Sequence, residues 1–266
     1  MGTLLTRNRF AWGYRWTGYG RNLLLFVAAT VAALLKADTS GWPSRIPLLE
    51  DAIKWIQGET WWLTPSLMAG AGILALVRKR IGDPQVREVV HGLLTSFRRQ
   101  VFTDSGSGFE HHHRVTLFRH KEWAWVWRRW PWNGWLIPEL RSGETTRNPA
   151  CRFRASSDNP DRAEGIAGMA WVSDRDIYVH SLPGVSQTSA TEADVTTYAS
   201  ATGMTISEIR AMKPKARSFY GIRVEVAKGR WGVIVIDSAH ETLKQRTVES
   251  NYAKIAPSLS VLLTRI

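Results

Sequence analysis

The chain is predicted to be α+β, with a two-helix lead and a mostly antiparallel sheet flanked by helices. Three observations carry this. Two uncharged apolar runs sit near the start, strand-like alternation recurs from residue 113 onward, and helical spacing separates the strand groups. With 266 residues, 44% hydrophobic and 22% charged, the chain has enough apolar mass for one substantial domain plus an appendage. The expected division is residues 1–82 and 83–266.

The first apolar run is Leu23–Leu35, preceded by Arg7, Arg9, Arg15 and Arg21 without an acid. The basic aromatic lead is long and "LLKADTS" is a poor cleavage site, so a cleaved leader is not expected. The second run, Trp61–Val77, carries no charge and ends in Arg78, Lys79 and Arg80. Between the runs, Asp38, Glu50, Asp51 and Glu59 outnumber Arg45 and Lys54. This charge pattern predicts a two-pass membrane hairpin with both ends in the cytoplasm, at the inner membrane. The linking "IPLLEDAIKWI" is expected to be a separate interfacial helix. Ala69, Gly70, Ala71 and Gly72 suit close helix packing.

"DPQVREVVHGLLTSFRRQVF" opens with Asp83 and Pro84, a start signal for an amphipathic helix. "HHHRVTLFRH" and "EWAWVWRR" alternate as strands, the second placing Trp123, Trp125 and Trp127 on one face, turned toward helices. Asn133-Gly134 marks a turn into "WNGWLIPEL", and "CRFRAS" is a short strand. "NPDRAEGIAGMAWVSD" is a helix and "DIYVHSLP" a strand. Residues 184–205 read as a loop with a short helix. Thr205 and Glu208 form a capping box for "TISEIRAM". "SFYGIRVEVAKGRWGVIVIDS" is a hairpin turning at Lys228-Gly229, and the final helix kinks or breaks at Pro257.

The net charge of +12 fits nucleic acid, anionic lipid or a phosphorylated small ligand. One cysteine, Cys151, excludes an internal disulfide framework and favours a reducing compartment. Cys151 stands in no nucleophile motif. His111 and His113 share a strand face but have no acidic or Cys partner nearby, so no metal site and no cofactor are expected. The Trp-rich stretch offers two readings. One buries the rings against helices; the other stacks bases beside Arg128 and Arg129. Glu139, Arg141, Ser142 and Thr145 form a candidate phosphate or carboxylate grip, the alternative being a polar turn.

Three local patterns resemble a GAF domain across about residues 84–266. They are the helix "VREVVHGLLTSFRRQVF" feeding "HRVTLFR", the pair "AEGIAGMAW" and "IYVHSLP", and the closing hairpin "SFYGIRVEVAKGRWGVIVIDS". Ile222 stands where the family usually has Pro. The resemblance implies a ligand-sensing or dimerising module and no catalysis. It implies a pocket for which Arg128, Trp132, Glu139, Arg141, Ser142, Trp171, Tyr220 and Asp237 are the candidate ligand-binding residues. The expected partners are a small anionic ligand such as a nucleotide second messenger, the lipid bilayer and a second copy of the chain, but not nucleic acid. The output is expected at the helical lead or a partner, because no kinase, cyclase or DNA-binding segment follows before Ile266. Two alternatives stand beside this sensor: a membrane-disrupting effector of nucleotide-signalled phage defence, and a nucleic-acid-binding protein outside the membrane.

Overall fold

The computed structural model describes residues 2–34, 47–81, 83–103, 113–124, 132, 134–143, 151–155, 163–186, 190–227 and 229–266. The chain forms two compact units, Met1–Gln85 with Ile266, and Val86–Arg265.

In the first unit, α1 (Gly2–Leu34) and α2 (Pro47–Ile81) pack as an antiparallel pair. Their register is fixed by close approaches at small residues. A Cβ on Gly70 would lie 3.3 Å from Leu24, and one on Gly20 would lie 3.2 Å from Leu74. The Arg78 guanidinium lies over the Tyr14 ring at 4.3 Å from its centroid. Two expectations are corrected. The link "IPLLEDAIKWI" is not a separate interfacial helix, because α2 runs from Pro47 through Pro65 without a break. Nor do the helices form a two-pass membrane hairpin: among the described residues, no helix is long and apolar enough to cross a membrane. The physical reason is length. The apolar part of α1 covers about 18 Å at a helical rise of ~1.5 Å per residue, against a hydrocarbon core of ~30 Å.

The second unit opens with α3 (Pro84–Val101) and is built on a curled six-stranded antiparallel sheet. Its strands are β1 (His113–Lys121), β2 (Trp135–Ser142), β3 (Phe153–Arg154), β4 (Ile177–Val179), β5 (Ser218–Val226) and β6 (Gly229–Ser238). The order across the sheet is β3-β2-β1-β6-β5-β4. Helices α4 (Gly165–Val172), α5 (Glu192–Thr202) and α6 (Ile206–Met212) lie between β3 and β5 in sequence, and α7 (Gln245–Leu263) closes the chain. This is an α+β arrangement, with an antiparallel sheet flanked by helices.

β1 is central. It pairs with β6 from His113↔Ser238 to Arg119↔Gly232 and with β2 from Val115↔Ser142 to Lys121↔Trp135, with a bulge between Leu117 and Phe118. Strand alternation then sorts the side chains. Phe118, Val233, Val235 and Leu136 meet Ile166, Ala167, Ala170 and Trp171 of α4. Further along this face, Phe219 and Val179 border a cluster of Val195 and Tyr198 from α5 with Ile209 from α6. The opposite face carries α3 and α7. Thr95 of α3 bonds Ser142 at 3.0 Å, and Tyr220 donates to Glu249 of α7 at 2.8 Å.

Local chemistry explains the helix ends. Thr205 and Glu208 form the predicted capping box of α6. Thr191 and Asp194 form a second at α5, a signal legible in "TEAD". Gly134 takes the left-handed conformation (φ +68°) that the Asn133-Gly134 turn calls for. α7 continues through Pro257, so of the expected kink or break, the break does not occur. The strand expected over "EWAWVWRR" fails in its described part. β1 ends at Lys121, and Trp123 lies beyond it, exposed rather than buried. Trp125, Trp127 and Trp130 lie outside the described residues.

Gly232 faces the tightest point of the sheet: a Cβ there would sit 2.0 Å from the Phe118 carbonyl oxygen. That neighbour is backbone and cannot give way. Gly232→Ala is expected to destabilise the chain by about 3 kcal/mol or more, read as a fall in the thermal unfolding midpoint.

Candidate functional site

The face of the sheet that meets α4 and α5 is apolar in the middle and charged at one end. Register places the charges. Arg114 and Asp237 are cross-strand partners on β1 and β6, and Thr116 of β1 sits between Arg141 of β2 and Val235 of β6. Alternation puts Arg114, Thr116, Arg141 and Asp237 on this one face. Arg114 Nε donates to Asp237 Oδ1 at 2.5 Å. Cys151, just ahead of β3, packs at the edge of the same apolar cluster. Tyr198 of α5 is fully buried and donates to the Ala216 carbonyl at 3.1 Å.

The electrostatics of this end are unbalanced. Arg114, Arg141 and Asp237 carry two positive charges and one negative. Burial works against the charge on Arg114, but the adjacent Asp237 carboxylate outweighs it and raises its pKa. For Arg141 the balance is reversed. Burial, and then the nearby Arg114 charge, lower its pKa and outweigh the attraction of Asp237. Its Nε is buried with no hydrogen-bond partner among the described residues, and no ion pair is formed by its side chain there. Burial, above all, raises the pKa of the Cys151 thiol, so it is a poor nucleophile.

The other candidate residues disperse. Glu139 lies next to the β2 bulge and is ion-paired to Arg87 of α3, on the opposite face. Ser142 is held by Thr95 on that same opposite face. Tyr220 also points away, its hydroxyl within 3.1 Å of Asp176 Oδ2 and 2.8 Å of Glu249 Oε1. These three lie on the face opposite Arg141 and Asp237, as the two-residue alternation of the strands dictates. Trp132 is 65% exposed and tilted against Trp123. Arg128 lies outside the described residues.

Trp171 is buried on the α4 side but at the other end of the face. It stacks on His120, with ring centroids 4.0 Å apart. Phe118 and Leu136 of the core cluster belong to the strands between it and Arg141. Of the described candidate residues, only Arg141 and Asp237 therefore come together. Arg114, which sequence reading passed over, joins them. The signal was its place in "HRVTLFR", two positions from Thr116 and four from Phe118.

His113 does not lie at this site. It is buried against Phe102 (centroids 3.9 Å apart), and Nδ1 is 2.9 Å from Ser238 Oγ. Among the described residues, no group of three or more His, Cys, Asp and Glu side chains is arranged to hold a metal.

No family model matches the chain, and no curated protein does. Solved structures do resemble it. The GAF domain region of a Geobacter sulfurreducens protein is 14% identical, over 72% of this chain and 99% of its own, at a TM-score of 0.41. A phycoerythrobilin-bound GAF domain of a cyanobacterial phytochrome is 12% identical, over 68% and 86%, also at 0.41. A free methionine-R-sulfoxide reductase from Thermoplasma acidophilum is 12% identical, over 67% and 94%, at 0.39.

His120 supplies a pH test. Burial, the largest influence, lowers its pKa below the usual histidine value, although a hydrogen bond from Nε2 to the Ala155 carbonyl at 3.2 Å partly offsets it. A depressed folded-state pKa means that the neutral ring stabilises the fold above the unfolded value of ~6.5. That stability is lost as pH falls through the folded value. His120→Phe keeps the stack on Trp171. The difference in unfolding free energy between wild type and variant is expected to shift in the variant's favour as pH falls from ~7 to ~5, measured by urea denaturation.

Proposed function

We infer that the chain is a binding module for a small anionic ligand, held at the charged end of the sheet by Arg141, and that it does no chemistry on that ligand. The observation that carries this is the buried Arg141 Nε, which has no hydrogen-bond partner among the described residues. A guanidinium in that state costs free energy unless an anion completes it. A planar carboxylate or phosphate does so in bidentate fashion. Arg114 supplies a second positive group, and Asp237 holds Arg114 in place.

The absence of catalysis in this reading is supported by the residues available. The sole thiol is pushed toward its neutral form, and among the described residues no general base is hydrogen-bonded to it. A nucleotide monophosphate is the first specific ligand to test, since its phosphate matches the charge. The reading puts the chain at the inner membrane, with output through α1 and α2 or through self-association.

The experiment is a thermal-shift titration of the full chain with inorganic phosphate, AMP and cyclic AMP. A saturable rise in midpoint with at least one of them is expected, and it disappears in Arg141→Gln. Arg141→Met is expected to raise the ligand-free stability by about 1 kcal/mol, because it removes an uncompensated charge. An Arg141→Met chain markedly less stable than wild type would show that the guanidinium is a structural contact and would refute the reading.

A further inference from the structure

The α1–α2 pair has its polarity inverted. Small residues mark its closest contacts: Gly18, Ala28 and Ala71 are buried between the helices beside Val31, and Gly20 and Gly70 sit under Leu74 and Leu24. Many of the large apolar side chains point out. Tyr19, Leu23 and Phe26 of α1 and Met68, Ile73 and Leu76 of α2 are all more than half exposed. A helix pair meant for water buries its large apolar residues and turns charge outward. A pair meant for an apolar surrounding does the reverse, because small residues permit close backbone contact and the outer face gains nothing from polarity. Large exposed apolar side chains gathered on one helix pair mark a surface suited to an apolar partner.

Charge is confined to the ends. The antiparallel register brings Arg15 and Arg21 of α1 to the same end as Arg78 of α2, whose guanidinium lies over Tyr14. There is no Asp or Glu in residues 1–37 or 60–82. Glu59, which accepts from Trp62 Nε1, belongs to the far end. The outer apolar stretch between the two ends measures about 18–24 Å at ~1.5 Å per residue. That falls short of the ~30 Å hydrocarbon core, so burial does not require the helices to cross it.

We propose that this outer face of α1 and α2 inserts into one side of a bilayer containing anionic lipid, with the Arg15, Arg21 and Arg78 end at the headgroups. Charge complementarity chooses this occupant over a second copy of the chain. Two copies packed side by side in parallel would bring their basic ends together, whereas anionic headgroups neutralise them. Each cation near such a surface contributes about fivefold in affinity.

The test is co-flotation of the full chain with phosphatidylcholine vesicles, with and without phosphatidylglycerol. The chain is expected to float with the mixed vesicles, and to bind phosphatidylcholine alone about a hundredfold more weakly. High salt removes that preference, and the double variant Arg15→Gln, Arg21→Gln cuts it about twenty-fivefold. Phe26→Glu with Leu76→Glu changes exposed positions only, so helix content by circular dichroism is expected to stay the same while flotation is lost. Flotation of this double variant at the wild-type level would overturn the proposal. So would equal flotation with both kinds of vesicle. A wild-type chain that stays unbound and elutes as a discrete oligomer, which Phe26→Glu with Leu76→Glu converts to monomer, would assign the face to a second copy instead.

Discussion

The register of β1 between β2 and β6 is the constraint from which the rest follows. A strand alternates its side chains with a period of two, so a slip of one residue exchanges the faces. In the observed register Phe118 turns toward α4, and Arg114 and Thr116 turn to the same side. Val115 and Leu117 turn to the other and are fully buried. Gly232 fixes that register from β6, because only a residue without a side chain fits against the Phe118 carbonyl. The Arg114–Asp237 pair is a direct consequence, as the two are cross-strand partners.

The same alternation explains why a charged group is left over. The apolar middle of the face is closed by α4, and α5 and α6 close the part near β4 and β5. Among the described residues, the β1–β2 end of the face carries two arginines but one carboxylate. The β2 bulge contributes to the imbalance. It adds Glu139 to the strand, and that carboxylate goes to Arg87 on the opposite side rather than to Arg141. A fold that needed only stability would have placed an apolar residue at Arg141, since replacing a buried charge by a hydrophobe is commonly neutral or favourable.

Much of this was legible in the sequence. Period-two alternation located β1, β2, β5 and β6, and the Thr205–Glu208 capping box located α6. The Gly134 turn was also legible, because its chemistry is local. Three things were not. The α2 helix absorbs a segment read as separate, since the apolar and charged parts share one helical period and nothing between them stops a helix. Pro257 reads as a kink or break, whereas α7 continues through it with Val248, Ile255, Leu259 and Leu263 buried on both sides. The site itself was half visible. Arg141 and Asp237 were found, but Glu139, Ser142 and Tyr220 were grouped with them because a sequence shows proximity along the chain and not the face of the sheet. Arg114 acquires its meaning only from pairing with a residue 123 positions away.

The most direct measurement is the nitrogen-15 resonance of the Arg141 Nε–H group, assigned by comparison with Arg141→Lys, followed while inorganic phosphate is added. The account predicts a saturable shift at this resonance, larger than at the other arginine Nε–H groups, because the buried donor gains the acceptor it lacks. A resonance that does not move, or that moves in step with exposed arginines, would contradict the assignment of Arg141 as the centre of an anion site.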